Sequence, residues 1–400
     1  MKFQEVPVLL LTGYLGSGKT TLVNKVLSNK HGIKFAVIVN DIGEVNIDAD
    51  LIQQGGIVDK KDDSLVALQN GCICCTLKMD LVAQLRDITS LQKFDYIVIE
   101  ASGVCEPAPI AQTICSIPTM GPEYIKGGIA RLDCITTVVD ALRMKDEFGN
   151  GENLIKQNIA EDDIENLVIQ QIEFCNIILL NKASEVEPSE LERLKEIITA
   201  LQPHATIIEC DYGNVDLDKI INTHLFDFDK VATSAAWIDE IEHHHDDEHD
   251  DDDDDDDEHD HEGHHHHHEH DHEGGEVEEY GIGTFVYYRR KPFDLVGFDE
   301  FIASKWSKNI IRCKGICWFK DEPATCYVFE QAGKQMNLRN AGQWYATMDK
   351  DELADLMQRE PGLSQDWNEQ YGDRMQKLVF IGQHLDKDEI TRQLDSILLD

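Results

Sequence analysis

GYLGSGKTT, residues 13–21, is the most informative stretch of the chain. It fits the phosphate-binding pattern GxxxxGK[ST], with the four fixed positions filled by Gly13, Gly18, Lys19 and Thr20. The glycines allow backbone N–H groups to surround a polyphosphate, Lys19 can reach its β and γ phosphates, and Thr20 can bind Mg²⁺. An apolar run precedes the loop and a helix-compatible segment follows it. The motif therefore has the strand–loop–helix context that a nucleotide-binding loop requires.

Composition limits the classes of partner. The chain has 400 residues, 42% of them hydrophobic, and a formal net charge of −41. A chain this negative is not expected to bind nucleic acid or an anionic membrane, and cations are its expected partners. The first seven residues do not resemble a secretory signal, and no apolar run approaches the length of a membrane span. We therefore expect a cytoplasmic protein whose eleven cysteines are reduced thiols, metal ligands or core residues rather than disulfides.

The first half of the chain alternates short apolar runs with helical patterns, which indicates βαβ units and a mostly parallel sheet. The predicted strands are Val6–Leu11, Phe35–Val39, Tyr96–Glu100, Cys134–Val139, Ile177–Leu180 and Thr206–Glu209. The predicted helices are Thr20–Ser28, Met79–Thr89, Ile164–Phe174 and Glu190–Leu201. We expect an α/β phosphate-loop domain over residues 1–228.

Residues 229–276 are predicted to be a disordered linker. Its central part, Glu242–Glu273, consists of 18 Asp or Glu, 13 His and one Gly, and so has no apolar side chains to bury. A solvated spacer is one interpretation of this tract. A second is weak, multi-site metal binding, because imidazole is the commonest metal ligand.

Ordered patterning returns over residues 277–400, which predict a compact α+β domain. The predicted strands are GIGTFVYYRR, GICWFK, ATCYVFE and Leu378–Ile381, and the predicted helices are Phe298–Ser307 and Asp388–Leu399.

Carboxylates at two strand ends are candidates for catalysis. Asp41 and Glu44 lie in a short acidic turn after the second strand, where a switch segment near Mg²⁺ and the attacking water is expected. Glu100 ends a buried strand, the place where phosphate-loop enzymes carry a second carboxylate for Mg²⁺. Gly103 would allow the following turn to approach the γ-phosphate.

Asn181 and Lys182 resemble the start of the guanine-binding element NKxD. Asn181 would contact the base, and the stem of Lys182 would cover its face. Ser184 stands where Asp accepts from the N1 and N2 hydrogens of guanine, and a hydroxyl is neutral and cannot accept bidentately. We expect a guanine preference of reduced strictness, with Glu185 and Glu187 as candidate substitutes for the missing carboxylate.

GCICC, residues 71–75, predicts a metal site. Cys72 and Cys74 face the same way in an extended segment, and a bend can bring Cys75 beside them. Three thiolates supply most of a tetrahedral zinc site, with one position left for a side chain, water or a receiving protein. The CxC and CC spacings do not suit a redox CxxC motif. The remaining cysteines are interpreted as core residues.

The motifs GYLGSGKT, NDIGE, GCICC and EASGVCEP, in this order, resemble those of the CobW-type metallochaperone GTPases. That family is related to the nickel-insertion GTPases of urease and hydrogenase maturation. RCKGICWF and KLVFIGQHLD resemble its C-terminal domain, so the likeness covers nearly the whole chain. The resemblance implies that GTP is held by Gly16, Ser17, Gly18, Lys19, Thr20 and Thr21. It also implies that Glu100 serves Mg²⁺ and that Cys72, Cys74 and Cys75 hold the cargo metal.

On this resemblance we expect a P-loop GTPase that carries a divalent transition metal, zinc first, to an unknown client protein. The C-terminal domain would recognise the client or a second copy of the chain in a homodimer. Cobalt or nickel insertion into a metalloenzyme or into cobalamin is the alternative within the same class, because ligand type does not separate these metals. A metal-storage protein and an ATP-dependent kinase are alternatives from other classes.

Overall fold

The computed structural model describes residues 5–28, 32–39, 65–67, 78–147, 167–233, 281–333, 335–359 and 367–399. The chain divides into two compact units, Met1–Ala236 with Ala332–Gln335, and Trp237–Gln331 with Met336–Asp400. The predicted domain boundaries at residues 228 and 277 stay a proposal. Within the described ranges, every helix is too short or too polar to cross a bilayer.

A seven-stranded sheet forms the centre of the first unit. Its strands are β1 (Glu5–Thr12), β2 (Phe35–Val39), β3 (Leu65–Ala67), β4 (Tyr96–Glu100), β5 (Ile129–Asp140), β6 (Ile177–Asn181) and β7 (Thr206–Cys210). Their order is β3-β2-β4-β1-β5-β6-β7, and every neighbouring pair is parallel. The predicted parallel α/β fold is confirmed.

The described helices of the first unit lie between or after these strands in the chain. They are α1 (Lys19–Leu27), α2 (Lys78–Leu91), α3 (Pro107–Met120), α4 (Ala141–Glu147), α5 (Pro188–Leu201) and α6 (Phe228–Thr233), and residues 167–173 are also helical. β1 is a central strand of the sheet and is buried along most of its length. Its side chains pack with those of α1, β2 and β6 in one apolar core. Since all seven strands are parallel, their carboxyl ends meet at a single edge of the sheet.

A five-stranded sheet forms the second unit. Its strands are β8 (Ile282–Arg289), β9 (Ile310–Cys317), β10 (Thr325–Ala332), β11 (Gln335–Gln343) and β12 (Gln376–Gln383), and its helices are α7 (Leu295–Ser304), α8 (Lys350–Arg359) and α9 (Lys387–Asp395). The strand order is β11-β10-β9-β12-β8, with β12 antiparallel to both of its neighbours. An aromatic core that includes Phe293, Phe298 and Phe380 holds the sheet to its helices. The predicted α+β C-terminal fold is confirmed.

Candidate functional site

The phosphate loop joins β1 to α1, and three glycines with positive φ shape it. The φ angles are 135° at Gly13, 78° at Gly16 and 110° at Gly18. A Cβ at Gly13 would lie 2.3 Å from the carbonyl oxygen of Val138, and a Cβ at Gly18 would lie 2.4 Å from Asn181 Nδ2. Side chains are therefore excluded, and the backbone forms a cradle that fits a polyphosphate.

Lys19 begins α1, and its ammonium group is held by the loop. Its Nζ donates hydrogen bonds to the carbonyl oxygens of Gly13 and Tyr14, at 2.6 and 3.1 Å. The guanidinium of Arg143 lies 4.3 Å from the centre of the Tyr14 ring, which braces the outer side of the loop. The ammonium is thus placed beside the cradle where a phosphate would enter. Of the other predicted loop residues, Ser17 is buried and Thr21 is exposed.

Thr20 and Glu100 form a contact between the loop and β4. The register of β1 and β4 places Leu11 beside Glu100, so this carboxylate lies where β1 enters the loop. Thr20 Oγ1 donates to Glu100 Oε1 at 2.9 Å, and Glu100 is 1% exposed. A hydroxyl and a carboxylate are ligands that Mg²⁺ accepts, so this pair fits the predicted magnesium site.

The turn after β4 approaches the phosphate loop closely. A Cβ at Gly103 would lie 2.6 Å from the backbone nitrogen of Leu15, so glycine is required there. Gln171, which is buried, donates through Nε2 to the carbonyl oxygens of Gly103 and Cys105, at 3.4 and 3.1 Å. Sequence reasoning missed Gln171, because a lone glutamine in a helical segment carries no motif.

Asn181 ties the predicted base-binding element to the phosphate loop. Its Nδ2 donates to the carbonyl oxygen of Ser17 at 2.8 Å. Its Oδ1 accepts from the backbone N–H of Gly213 at 3.1 Å and from the thiol of Cys210 at 3.6 Å. Burial, together with the charge of Asp211, raises the pKa of the Cys210 thiol to about 11, so this thiol stays protonated and can donate. Asn181 therefore fixes the loop after β7 against the loop after β1.

Lys182 follows Asn181 in the left-handed conformation, with φ 60°. Its ammonium group forms an ion pair with Asp140 at the end of β5. Asp140 also accepts a hydrogen bond from the backbone N–H of Arg143 at 3.1 Å, in the first turn of α4. These contacts hold the Lys182 stem across the edge of the sheet.

Ser184 contacts a carboxylate that comes from the next strand. Its backbone N–H and its hydroxyl both donate to Asp211 Oδ1, at 3.1 and 3.0 Å. Asp211 directly follows β7, which pairs in parallel with β6. Glu185 and Glu187, the substitutes considered from the sequence, are exposed. Sequence reasoning missed Asp211 because 27 residues separate it from Ser184.

Five predicted site residues lie outside the described residues, and their roles stay predictions. They are Asp41, Glu44, Cys72, Cys74 and Cys75. Among the described residues, no group of three or more His, Cys, Asp or Glu side chains could hold a metal ion.

Most of the described cysteines are buried as predicted, but the prediction of a core position is wrong for Cys115, which is exposed. Cys134, Cys175, Cys210, Cys313 and Cys317 are free and buried, Cys326 is free and half-buried, and Cys115 is free and exposed. Cys105 is a buried core residue, but it is disulfide-bonded, so the prediction of a reduced thiol is wrong for this position. Its place in a tight turn after β4 gave no sequence signal for a bridge.

Two family models match the chain. The model described as "CobW/HypB/UreG, nucleotide-binding domain" matches residues 7–209, and "Cobalamin synthesis protein cobW C-terminal domain" matches residues 282–398. A protein of Dictyostelium discoideum named zinc-regulated GTPase metalloprotein activator 1 is 33% identical over an alignment of 413 residues, gaps included. The alignment covers 99% of this chain and 80% of that protein.

Two further similarities involve Escherichia coli. The zinc chaperone YjiA of strain K12 is 33% identical over 226 residues, covering 55% of this chain and 62% of that protein. A crystal structure of Zn(II)-bound YjiA GTPase from this species covers 99% of this chain and 100% of that chain, with 21% identity and a TM-score of 0.41. The two family models and the full-length relative confirm the predicted family: the chain belongs to the CobW/HypB/UreG nucleotide-binding family and carries the cobW C-terminal domain.

Proposed function

We propose that this chain is a GTP-hydrolysing metallochaperone that binds a divalent transition metal, zinc first, and transfers it to a client protein. The observation that carries the proposal is the complete phosphate cradle, with Lys19 at its mouth and the Thr20–Glu100 pair beside it. The names of the relatives, a zinc-regulated GTPase activator and a zinc chaperone, support zinc as the cargo.

The nucleotide half of the function follows from the described contacts. The backbone of the phosphate loop and Lys19 would bind the phosphates, and Thr20 with Glu100 would hold Mg²⁺. When bound, Mg²⁺ neutralises negative charge on the phosphates. Asn181 is held at the base end by Ser17 and Gly213, which keeps it ready to contact a purine.

The metal half rests on GCICC, residues 71–75, and on its chemistry. Thiolates are soft ligands that suit zinc and also bind cobalt and nickel. Burial raises the pKa of the Cys134 and Cys175 thiols to about 12, so these two stay protonated at neutral pH and are unsuited to metal binding. With these two set aside, Cys72, Cys74 and Cys75 are the proposed cargo ligands on the chemistry of their motif.

Coupling between the two halves would use the turn at Gly103, which lies against Leu15 of the phosphate loop. Hydrolysis of the γ-phosphate would move this turn and the predicted switch at Asp41 and Glu44. That movement would alter how tightly the GCICC site binds the metal. We further propose a cytoplasmic location, which fits the seven free cysteines among the described residues, Cys105 being the disulfide-bonded exception. We also propose that the C-terminal domain recognises the client or a second copy of the chain.

Zinc titration of matched variants tests this function. Native protein is expected to bind one Zn²⁺ tightly, with weaker binding at low pH as the thiolates are protonated. Changing Cys72, Cys74 and Cys75 together to Ser should remove that ion and leave GTP binding nearly intact. Cys115→Ser is the control, because Cys115 is an exposed free cysteine outside the motif.

GTP hydrolysis is measured on the same samples with and without Zn²⁺. Hydrolysis that responds to metal in the native protein, but not in the triple variant, supports a chaperone over a storage protein. If the triple variant that also lacks Glu242–Glu273 keeps an unaltered zinc content, the proposed cargo site is wrong.

A further inference from the structure

The predicted base-binding element of this chain lacks an acidic residue at the position where NKxD has one, but the residue that fills this position hydrogen-bonds to a carboxylate from the next strand. Ser184 fills the position, and Asp211 Oδ1 lies 3.1 Å from its backbone nitrogen and 3.0 Å from its hydroxyl oxygen. We propose that Asp211 supplies the carboxylate that selects guanine, and that Ser184 is the residue that positions it. This inference rests on the proposed GTP-binding function.

Asp211 belongs to a turn that the base site itself holds in place. The turn closes through a hydrogen bond from the backbone N–H of Asn214 to the carbonyl oxygen of Asp211, at 2.9 Å. Its two central residues, Tyr212 and Gly213, have φ angles of 52° and 62°. The N–H of Gly213 donates to Asn181 Oδ1, so the turn that carries Asp211 is anchored to the residue predicted to contact the base.

The hydrogen bonds from Ser184 orient the Asp211 carboxylate but do not use all of its acceptor sites. Both hydrogen bonds from Ser184 end on Oδ1, where its N–H and its hydroxyl fix the direction of the carboxylate. A carboxylate offers about four acceptor sites, so two donors leave capacity for a ligand. Asp211 is half-buried, so the residue keeps some contact with solvent and the cost of desolvating its charge is limited.

Guanine and adenine differ at the edge that such a carboxylate would face. Guanine presents two donors, N1–H and the 2-amino group, which a carboxylate can accept bidentately. Adenine presents an acceptor at N1 and a carbon-bound hydrogen at position 2, so a carboxylate there would lose its solvation without gaining a partner. The pair Ser184–Asp211 would therefore restore the discrimination that Ser184 alone lacks, and the expectation of reduced strictness is revised toward a firm guanine preference.

Equilibrium binding of diphosphates to the full chain tests this assignment without interference from hydrolysis. The probes are GDP, ADP and XDP, whose base xanthine replaces the 2-amino group of guanine with a carbonyl. Asp211→Asn should lower the GDP-over-ADP affinity ratio by about 10- to 100-fold, as expected when hydrogen bonds to a charged group are lost. The same variant should gain affinity for XDP, because an amide can donate to the 2-carbonyl while it accepts from N1–H.

Two variants separate this role from a structural one. Asp216→Asn removes an exposed carboxylate five positions further along the same loop and should leave all three affinities unchanged. Exchanging the two residues, as Ser184→Asp with Asp211→Ser, should restore the preference for GDP, because the carboxylate returns to the same place from the other strand.

The outcomes distinguish the inference from the function on which it rests. If the native chain binds GDP no more tightly than ADP, guanine selection itself is wrong. If the native chain prefers GDP, and Asp211→Asn keeps that preference without gaining XDP affinity, the role of Asp211 is overturned while the GTPase proposal stands.

Discussion

Of the predicted site residues, Lys19 is the one on which the proposed GTP hydrolysis would depend most directly. Two carbonyl oxygens of the loop hold its ammonium group beside the cradle, and the side chain is 6% exposed. A charge confined in this way needs little reorganisation to meet an incoming phosphate, which is the condition under which an electrostatic contact contributes most to catalysis.

Lys19→Ala should therefore reduce GTP hydrolysis by about 10²-fold or more and weaken GTP binding sharply, because the phosphates lose their central cation. Single-turnover hydrolysis and equilibrium binding measure the two effects separately. Lys25→Ala serves as the matched control, since Lys25 lies on the same helix and contacts the exposed Asn214 at 3.3 Å. Unchanged turnover in the Lys19 variant would remove the basis of the GTPase proposal.

Single residues were predictable from the sequence where a motif fixes their spacing. The motif predicts the places of Gly13, Lys19 and Thr20 in the loop and the first turn of α1. Glu100 lies beside Thr20 because β1 and β4 are neighbours in the sheet. Asp211 and Gln171 were not predictable, because only the fold brings them to the site. The burial of Glu100 follows from its strand, whereas its contact with Thr20 follows from the register.

Among the elements, five strands of the parallel sheet were predicted to within one residue at each end, because buried parallel strands are continuous apolar runs. β5 begins at Ile129, five residues before the predicted Cys134, and the three-residue β3 was not predicted. α3 was missed because its sequence, PAPIAQTICSIPTM, contains three prolines. Two of them lie in the first turn, where no intrahelical N–H is needed, so the helix tolerates them. β11 was missed because its side chains are mostly exposed and polar, which leaves no apolar alternation to detect.

The tract Glu242–Glu273 lies outside the described residues, and its disorder and its metal binding stay predictions. Deleting it should leave GTP hydrolysis unchanged and remove about three to four zinc ions per chain, since its 13 histidines would serve three or four ligands per ion. Binding should fall steeply as the pH drops toward about 6, because protons compete for the imidazoles and the neighbouring carboxylates favour protonation.

Titration calorimetry at two pH values measures this effect. A variant with every tract histidine changed to Gln keeps the carboxylates and is the control for simple charge attraction. Equal metal stoichiometry with and without the tract would show that it is only a spacer.

For the whole molecule, buried thiols predict how stability depends on pH. Burial raises the pKa of Cys134 and Cys175 to about 12, above the ordinary value of a thiol. A raised folded-state pKa means that the stabilisation is complete below about pH 9 and is lost as the pH rises toward 12. The free energy of unfolding should therefore fall above pH 9, by up to about 1.4 kcal/mol per pH unit for each thiol.

Urea denaturation between pH 8 and about 10.5 measures this slope. Cys134→Ala and Cys175→Ala should each be less stable than the native chain at pH 8, but their free energy of unfolding should fall less steeply at high pH. The difference in slope between native and variant proteins is due to the thiol, because lysines and tyrosines titrate in both. Equal slopes in native and variant proteins would show that these thiols ionise alike in the folded and unfolded states.

The position of β1 at the middle of the sheet has a consequence for biosynthesis. β1 is made first, but its partners β4 and β5 begin at residues 96 and 129. At about 5 to 20 residues per second, this apolar strand waits roughly 5 to 25 seconds on the ribosome before both neighbours exist. The loop that contains Asp211 and Gly213 is made later still, so nucleotide cannot help the earliest folding steps. A nascent chain of this topology is therefore a natural client for chaperones that bind extended apolar segments, until the seventh strand has emerged.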